Sequence, residues 1–341
     1  MQPRATSPDA TPGSEPVAID RRGLVGPAID FIRLARPKQW IKGGFVLIGP
    51  VYGVADLAAR GASWASVIIG ALGAFLAFGF IASAGYVLND LKDREADRMH
   101  PRKCRRPIAA GRISAGGARV FAGALLILAL AAVLLVPQPE TADQLFSPRS
   151  LLGICIALYA MNTAAYTLIF KSHPVIDVVS LAMGFVLRVM GGCAAVGISP
   201  SAWLLSCTFF VSMFLALGKR LGERRTLGAD AAAARGVQAI YTDDFLRMSV
   251  VVTGVATLLS YSDYVVAQSS TYTFGFNLLW LTLLPATYAL LRCIVQIERG
   301  IYDDPTELAT RDRPFQIACA MFGAITVALL LGVKLGWLAG V

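Results

Sequence analysis

Residues 89–111 read NDLKDREADRMHPRKCRRPIAAG and follow directly on an apolar run at roughly 64–88. On a helix turning about 100° per residue, with Asn89 at the origin, Asp93 falls near 40°, Asp97 near 80° and Asp90 near 100°. Four oxygen-bearing side chains thus share about a quarter of the circumference, while Lys92 and Glu95 point elsewhere. Hard oxygen donors at the end of an apolar helix suit Mg²⁺, which takes carboxylates, waters and substrate phosphates. The spacing predicts a Mg²⁺ site on Asn89, Asp90, Asp93 and Asp97, with Asp90, Asp93 and Asp97 as the catalytic carboxylates and a diphosphate held by the cation. A merely solvated acidic loop needs neither this register nor the basic, proline-containing run HPRKCRRP that continues it.

The surroundings of that stretch define the solvent. The chain has 341 residues, of which 56% are hydrophobic and only 16% charged, with mean hydropathy +0.61. Soluble domains carry about 25% charged residues, so most of this chain is built for lipid. Apolar segments lie at roughly 43–58, 64–88, 118–136, 151–170, 174–197, 202–218, 248–268, 276–297 and 315–337. About 20 residues span a hydrocarbon core as a helix, which satisfies its own backbone hydrogen bonds. The predicted fold is an all-α membrane protein of about nine transmembrane helices, the first kinked by Gly43, Gly44, Pro50 and Gly53. Residues 1–30, rich in Pro, Ser, Thr and Gly, read as a disordered tail, and 31–341 as one polytopic catalytic domain. The tail lacks the apolar core of a secretory signal, so the first membrane segment is expected to direct insertion.

Thirty-one Lys and Arg against 22 Asp and Glu give a net charge of +9. The excess sits in alternate loops: Arg36, Lys38 and Lys42, then Arg94 to Arg119, Lys171, Lys219 to Arg235, and Arg292 to Arg313. This asymmetry predicts a multi-pass protein of the plasma (inner) membrane whose N-terminus and polar site face the cytoplasm. A nucleic-acid partner fits poorly, because carboxylates interrupt the basic loops and the loops abut membrane segments. The six Cys lie mostly in apolar runs without paired spacing and read as small core residues.

The NDxxDxxxD pattern with His100, Pro101, Lys103, Arg106 and Pro107 resembles the signature of the UbiA superfamily of intramembrane prenyltransferases. Members that transfer a prenyl group to an aromatic ring carry a second acidic motif, DxxxD, between helices six and seven. Here that loop reads GKRLGERRTLGADAAAARG, with Lys219, Arg220, Glu223, Arg224 and Arg225 on a helical extension in place of the carboxylates. Basic side chains bind phosphate oxygens directly, so this pole suits a phosphate better than a second metal. Together with RPKQW (36–40), YTLIFKSHPVID (166–177), LRVMGG (187–192), YTDDFLR (241–247) and DDPTELATRDRPFQ (303–316), it resembles the decaprenyl-phosphate phosphoribosyltransferase branch. That resemblance implies transfer of 5-phosphoribosyl from 5-phosphoribosyl 1-diphosphate to decaprenyl phosphate, for arabinan and cell-wall precursors. It implies substrate contacts from Lys38, Lys103, Arg106, Tyr166, Lys171, Asp177, Arg188, Lys219, Arg220 and Glu223, and is compatible with a homo-oligomer.

Asp177 and Arg188 both fall inside the fifth segment, where ionisable groups are costly and either paired or functional. Eleven residues apart, they share a helix face. His173, before Pro174, reads as the end of a loop. Two other functions compete. A second DxxxD would have favoured prenyl transfer to an aromatic acceptor. A transporter would show inverted repeats and midplane breaks, whereas no internal repeat is evident and the polar residues concentrate at one membrane face.

Overall fold

The computed structural model describes residues 25–99, 103–138, 146–227, 240–269, 271–301 and 308–334. It is almost entirely helical. A short helix α1 (Val25–Ala35) and a 3₁₀ turn (Pro37–Gly43) lead into α2 (Gly44–Tyr52) and α3 (Val54–Ala59). The long helices follow: α4 (Trp64–Lys92), the short α5 (Arg94–Met99), α6 (Ala115–Leu134), α7 (Pro148–Leu168), α8 (Ile176–Ala195) and α9 (Ala202–Leu227). After these come α10 (Asp243–Ala267), α11 (Leu283–Glu298), the short α12 (Leu308–Arg311) and α13 (Arg313–Lys334). Among the described residues, eight helical stretches are long and apolar enough to cross a membrane, and the first apolar segment is the broken pair α2 and α3. Pro50 lies inside α2, and the chain changes path at Gly53, as the sequence led one to expect. The N-terminal boundary is different: α1 starts at Val25, so residues 25–30 are helical rather than part of a tail. Asp30 explains this, because its buried carboxylate takes Arg112 Nε at 3.0 Å and anchors α1 to the body.

The bundle is small inside and large outside, as lipid demands. On α6, Ala118, Ala122, Leu125, Ala129 and Ala132 are buried, whereas Val120, Ile127, Leu130 and Leu134 are exposed. Small residues let helix backbones approach where no hydrophobic effect drives association. The closest approach is between α8 and α2, where a Cβ at Gly192 would stand 1.8 Å from the Val46 carbonyl oxygen. α8 is the centre of the fold, packed on α2, α4, α7 and α9, and α9 in turn packs on α10.

Helix starts are set locally. Ser114, Ser147 and Thr242 cap α6, α7 and α10 by accepting from Gly117, Ser150 and Phe245 N–H. At one end of the bundle Tyr52 meets Trp203 and Tyr264 edge-on, and the centroids of the last two are 3.9 Å apart. Two-residue strands (Thr273–Phe274 and Phe276–Asn277) turn about Gly275 nearby in the chain. The opposite end gathers the C-termini of α4 and α9 and the N-termini of α8 and α10, and it holds the charge.

Candidate active site

Three carboxylates of the 89–111 stretch meet three cations, Arg106 from the same stretch and Arg36 and Lys171 from distant segments. Asp90, on the last turn of α4 and 3% exposed, pairs with Arg36 and with Arg106 Nη1 at 3.0 Å. The same Arg106 nitrogen lies 2.7 Å from Asp97 on α5. Asp93, at the junction of the two helices, accepts from Lys171 Nζ at 2.8 Å and from the Asn89 amide at 3.2 Å. The single helical face read from sequence is therefore modified. Regular helix stops at Lys92, and the turn at Asp93 (φ −87°, ψ 6°) resolves the four residues into two neighbouring couples, Asp90 with Asp97 and Asn89 with Asp93.

Among the described residues no three His, Cys, Asp or Glu side chains gather at metal-binding spacing. The donor chemistry nonetheless fits a hard cation. Every donor is an oxygen, and two carboxylates already converge on one point, the position of Arg106 Nη1. The three cations are 27%, 28% and 34% exposed, so they can turn toward the oxygens of an incoming diphosphate.

The second pole is sealed. Asp177, fully buried at the start of α8, accepts from Arg220 Nη2 at 2.6 Å and from the Tyr241 hydroxyl at 2.7 Å. That hydroxyl also accepts from Val175 N–H at 2.6 Å. Burial pushes the Tyr241 phenol up to about 12, offset by the Val175 N–H and reinforced by Asp177, so it stays protonated and keeps donating to Asp177. Arg220 Nε is buried without a hydrogen-bond partner among the described residues. Tyr166 and Glu223 lie within electrostatic reach of this guanidinium.

Backbone strain is confined to these two poles. Arg36 (φ 52°) and Val175 (φ 68°) are the non-glycine residues with positive φ among those described. Arg36 is held by a relay in which the Trp40 indole donates to Ser83 and Ser83 donates to the Ala35 carbonyl. Val175, with ψ −50° and an Ile176 N–H to Pro174 carbonyl bond of 2.8 Å, forms the rare positive-φ γ-turn, costly for a β-branched residue. Strained residues persist where surrounding contacts over-determine them, which is characteristic of functional sites.

Of the residues named from sequence, Asn89, Asp90, Asp93, Asp97, Arg106 and Lys171 meet at the first pole. Asp177 and Arg220 meet at the second, with Tyr166 and Glu223 near. Lys219 and Lys103 are half-buried at the same end. Lys38 is exposed, and Arg36, two residues earlier, makes the contact with Asp90 instead. Asp177 pairs with Arg220 and not with Arg188, and Arg224 pairs with Asp243 at 2.7 Å. His173 turns its ring to the Ile169 carbonyl on the surface, as befits a loop end. His100 and Pro101 lie outside the described residues, as do 228–239 of the basic loop and 303–307 of the last motif. Sequence reasoning missed Arg36, Val175 and Tyr241 as site residues. Arg36 and Tyr241 stand in quoted motifs, RPKQW and YTDDFLR, so the signal was present without the geometry.

A buried helical core with two charged poles at one membrane end defines a polytopic intramembrane enzyme fold. The chain belongs to the UbiA prenyltransferase family, which matches residues 47–317. It is 33% identical over 339 residues to a decaprenyl-phosphate phosphoribosyltransferase of Mycolicibacterium smegmatis, covering 94% of this chain and 99% of that one. A protein of the same description from Corynebacterium glutamicum is 34% identical, covering 88% of this chain and 86% of the relative. Among solved structures, a UbiA homolog from Archaeoglobus fulgidus bound to DMAPP and Mg²⁺ matches with TM-score 0.64 at 18% identity, over 88% of this chain and 98% of that one.

Proposed function

We propose that this chain transfers the 5-phosphoribosyl group of 5-phosphoribosyl 1-diphosphate to decaprenyl phosphate, giving decaprenylphosphoryl 5-phosphoribose and diphosphate. Full-length similarity to relatives of that description supports the reading. The observation that carries it is the second pole. Where prenyl-to-aromatic transferases of the superfamily carry a second acidic motif, this chain has a buried arginine whose Nε–H awaits an acceptor. An unsatisfied buried donor is costly, and a phosphate oxygen would satisfy it.

A Mg²⁺ held by Asn89, Asp90, Asp93 and Asp97 would neutralise the diphosphate as it departs. Around it, Arg36, Arg106 and Lys171 take diphosphate oxygens as their carboxylate partners turn away. Arg220 and Lys219, with Tyr166, Glu223 and Lys103 beside them, hold the 5-phosphate. Asp177, fixed by Tyr241, aims the Arg220 fork, and Lys38 serves at the entrance. An oxygen of the lipid phosphate forms the new bond to the ribose anomeric carbon. The bond from that carbon to the diphosphate breaks, and its electron pair leaves with the diphosphate. No general base is required, because the attacking oxygen is already anionic. The protein positions the reactants and keeps water from an oxocarbenium-like centre.

A soluble, highly charged donor and the concentration of Lys and Arg in alternate loops support the reading that this end of the bundle faces the cytoplasm at the plasma membrane. The test is product formation by purified protein with labelled 5-phosphoribosyl 1-diphosphate and decaprenyl phosphate, with and without Mg²⁺. A labelled lipid that depends on Mg²⁺ is expected. Turnover only with a prenyl diphosphate and an aromatic acceptor would overturn the reading.

A further inference from the structure

Arg188 lies on α8 roughly 18 Å beyond its first residue, at 1.5 Å per residue, and is 5% exposed. Its Nη1 donates to the Gly184 carbonyl at 3.1 Å, and its Nη2 to the Tyr159 hydroxyl at 2.6 Å. The guanidinium sits 4.6 Å from the Tyr159 ring centre and 5.3 Å from that of Phe185. No carboxylate of the described residues lies within 4.0 Å of it, although buried Asp90, Asp97, Asp177 and Asp312 each have a basic partner at that distance. A guanidinium has five N–H groups, so three remain after these two bonds. The Tyr159 oxygen, accepting from Arg188, also keeps its own proton to donate.

A full positive charge in a membrane core answered only by neutral groups is costly, and such residues mark binding paths. Arg188 borders a cleft of about 10 Å³ shared with Gln39, Trp40, Phe78 and Tyr86, so a phosphate enters only as these side chains part. Arg36, the partner of Asp90, lies over the Tyr86 ring at 5.1 Å, so one wall of the cleft touches the acidic pole. Its walls are otherwise aromatic and small, which suits an anion carried on an apolar chain better than a doubly phosphorylated sugar.

We propose that Arg188 and the Tyr159 hydroxyl form the receptor for the phosphate of the isoprenoid acceptor, a lipid phosphate monoester drawn below the level of Asp90. This assignment rests on the function proposed above and fixes which phosphate goes where: the sugar's 5-phosphate at Arg220, its diphosphate at the partly exposed cations of the acidic pole, and the lipid's phosphate in the cleft. A planar fork with open donors binds two phosphate oxygens at once, and the low-polarity surroundings strengthen the contact.

The experiment is direct binding to purified full-length protein in detergent, titrating farnesyl phosphate and farnesol separately. Wild type is expected to prefer the phosphate by at least about tenfold, the scale of a hydrogen bond to a charged group. Arg188→Gln should bring that preference near one, and Tyr159→Phe, which keeps the ring, should lower it in part. The KM for 5-phosphoribosyl 1-diphosphate should stay within about twofold, because its site is elsewhere. The thermal midpoint of Arg188→Gln should hold or rise, since an uncompensated charge has left the core, whereas a purely structural arginine would lower it. Retained phosphate preference in Arg188→Gln would overturn the assignment, as would a rise in KM confined to the sugar diphosphate. Absence of any phosphate preference in wild type would overturn it together with the proposed acceptor. Loss of the preference in Arg188→Gln alongside failed phosphoribosyl transfer would uphold the receptor and remove only the donor.

Discussion

At the acidic pole Asp90, Asp93 and Asp97 face cations that are 27–34% exposed, whereas at the second pole Asp177 and Arg220 are sealed at 0% and 4%. The same residue types thus make two different devices. The Asp93–Lys171 pair, partly exposed at both members, contributes little, on the order of 0–1 kcal/mol. The cations paired with buried Asp90 and Asp97 reach solvent, so they can turn to a phosphate while a metal takes their place on the carboxylates. A buried pair cannot be opened in this way, because separating it leaves a charge with no solvent. The first pole is thus free to exchange its ion pairs for those of a charged ligand, as the proposed function requires. The second is a fixed mount, braced by Tyr241 and by a strained turn at Val175, with one N–H of Arg220 left to read a ligand.

The largest effect should come from Asp93→Asn. Turnover is expected to fall by about 10²–10³-fold, the scale of removing one preorganised charge. Its thermal midpoint should scarcely move, because Asp93 is partly exposed. Steady-state turnover and a melting curve on the same preparation check both halves, and a large loss of stability would erase the contrast between the poles. Arg220→Met comes next. It should destabilise by about 3–5 kcal/mol through the stranded Asp177 carboxylate. Adding Asp177→Leu should restore most of that stability without restoring turnover. Denaturant titration in mixed micelles measures the first result, and an unaltered single variant would show the pair to be exchangeable after all.

The membrane body was readable because lipid imposes a harsh rule: about 20 apolar residues, self-satisfied backbone, charge only at the ends. Pro50 and Gly53 announced the break of the first segment, and the 89–111 stretch announced the acidic pole. What escaped depends on contacts distant in sequence or on backbone angles. Lys38 and Arg36 are equally basic, and only the left-handed turn at Arg36 decides which of them reaches Asp90. Tyr241 meets Asp177 across 64 positions, a distance no local pattern encodes. The α1 boundary was missed because Asp30 is anchored by an arginine 82 residues away. On sequence grounds only Arg188 shared a helix face with Asp177, and the partner it takes, Arg220, comes from α9, which packs on α8.

Val175→Gly probes the mount itself. Glycine accepts positive φ freely, and the valine is 45% exposed, so little packing is lost. Stability should rise by about 1 kcal/mol as the strain is relieved. A KM increase for the sugar diphosphate is expected with it, because the turn that aims Asp177 at Arg220 has loosened. A lower melting temperature would show that the turn carries no strain and that the second pole needs no brace.

The smallest effect is expected at Asp312, which has the ingredients of both poles and serves neither. It is buried like Asp177, and its partner Arg292 is 28% exposed like those of the first pole. Its two oxygens accept from Arg292, Gln296 and the Phe315 N–H. No acceptor capacity is left for a ligand, so this cluster should act only as a clasp between α11 and the start of α13. Hydrogen bonding from Arg292, opposed by burial and aided by the Phe315 N–H, holds its carboxyl below the usual range. A lowered folded value means that the unfolded chain binds the proton first. The stabilisation is therefore complete above the ordinary carboxylate pKa of about 3.9 and fades as pH falls through the lower folded value. Melting curves of wild type and Asp312→Asn should then converge at low pH and separate above it, with KM for both substrates unchanged at neutral pH. A KM that moved with Asp312→Asn would make this clasp a third pole and end the simple division between an exchanging site and a fixed one.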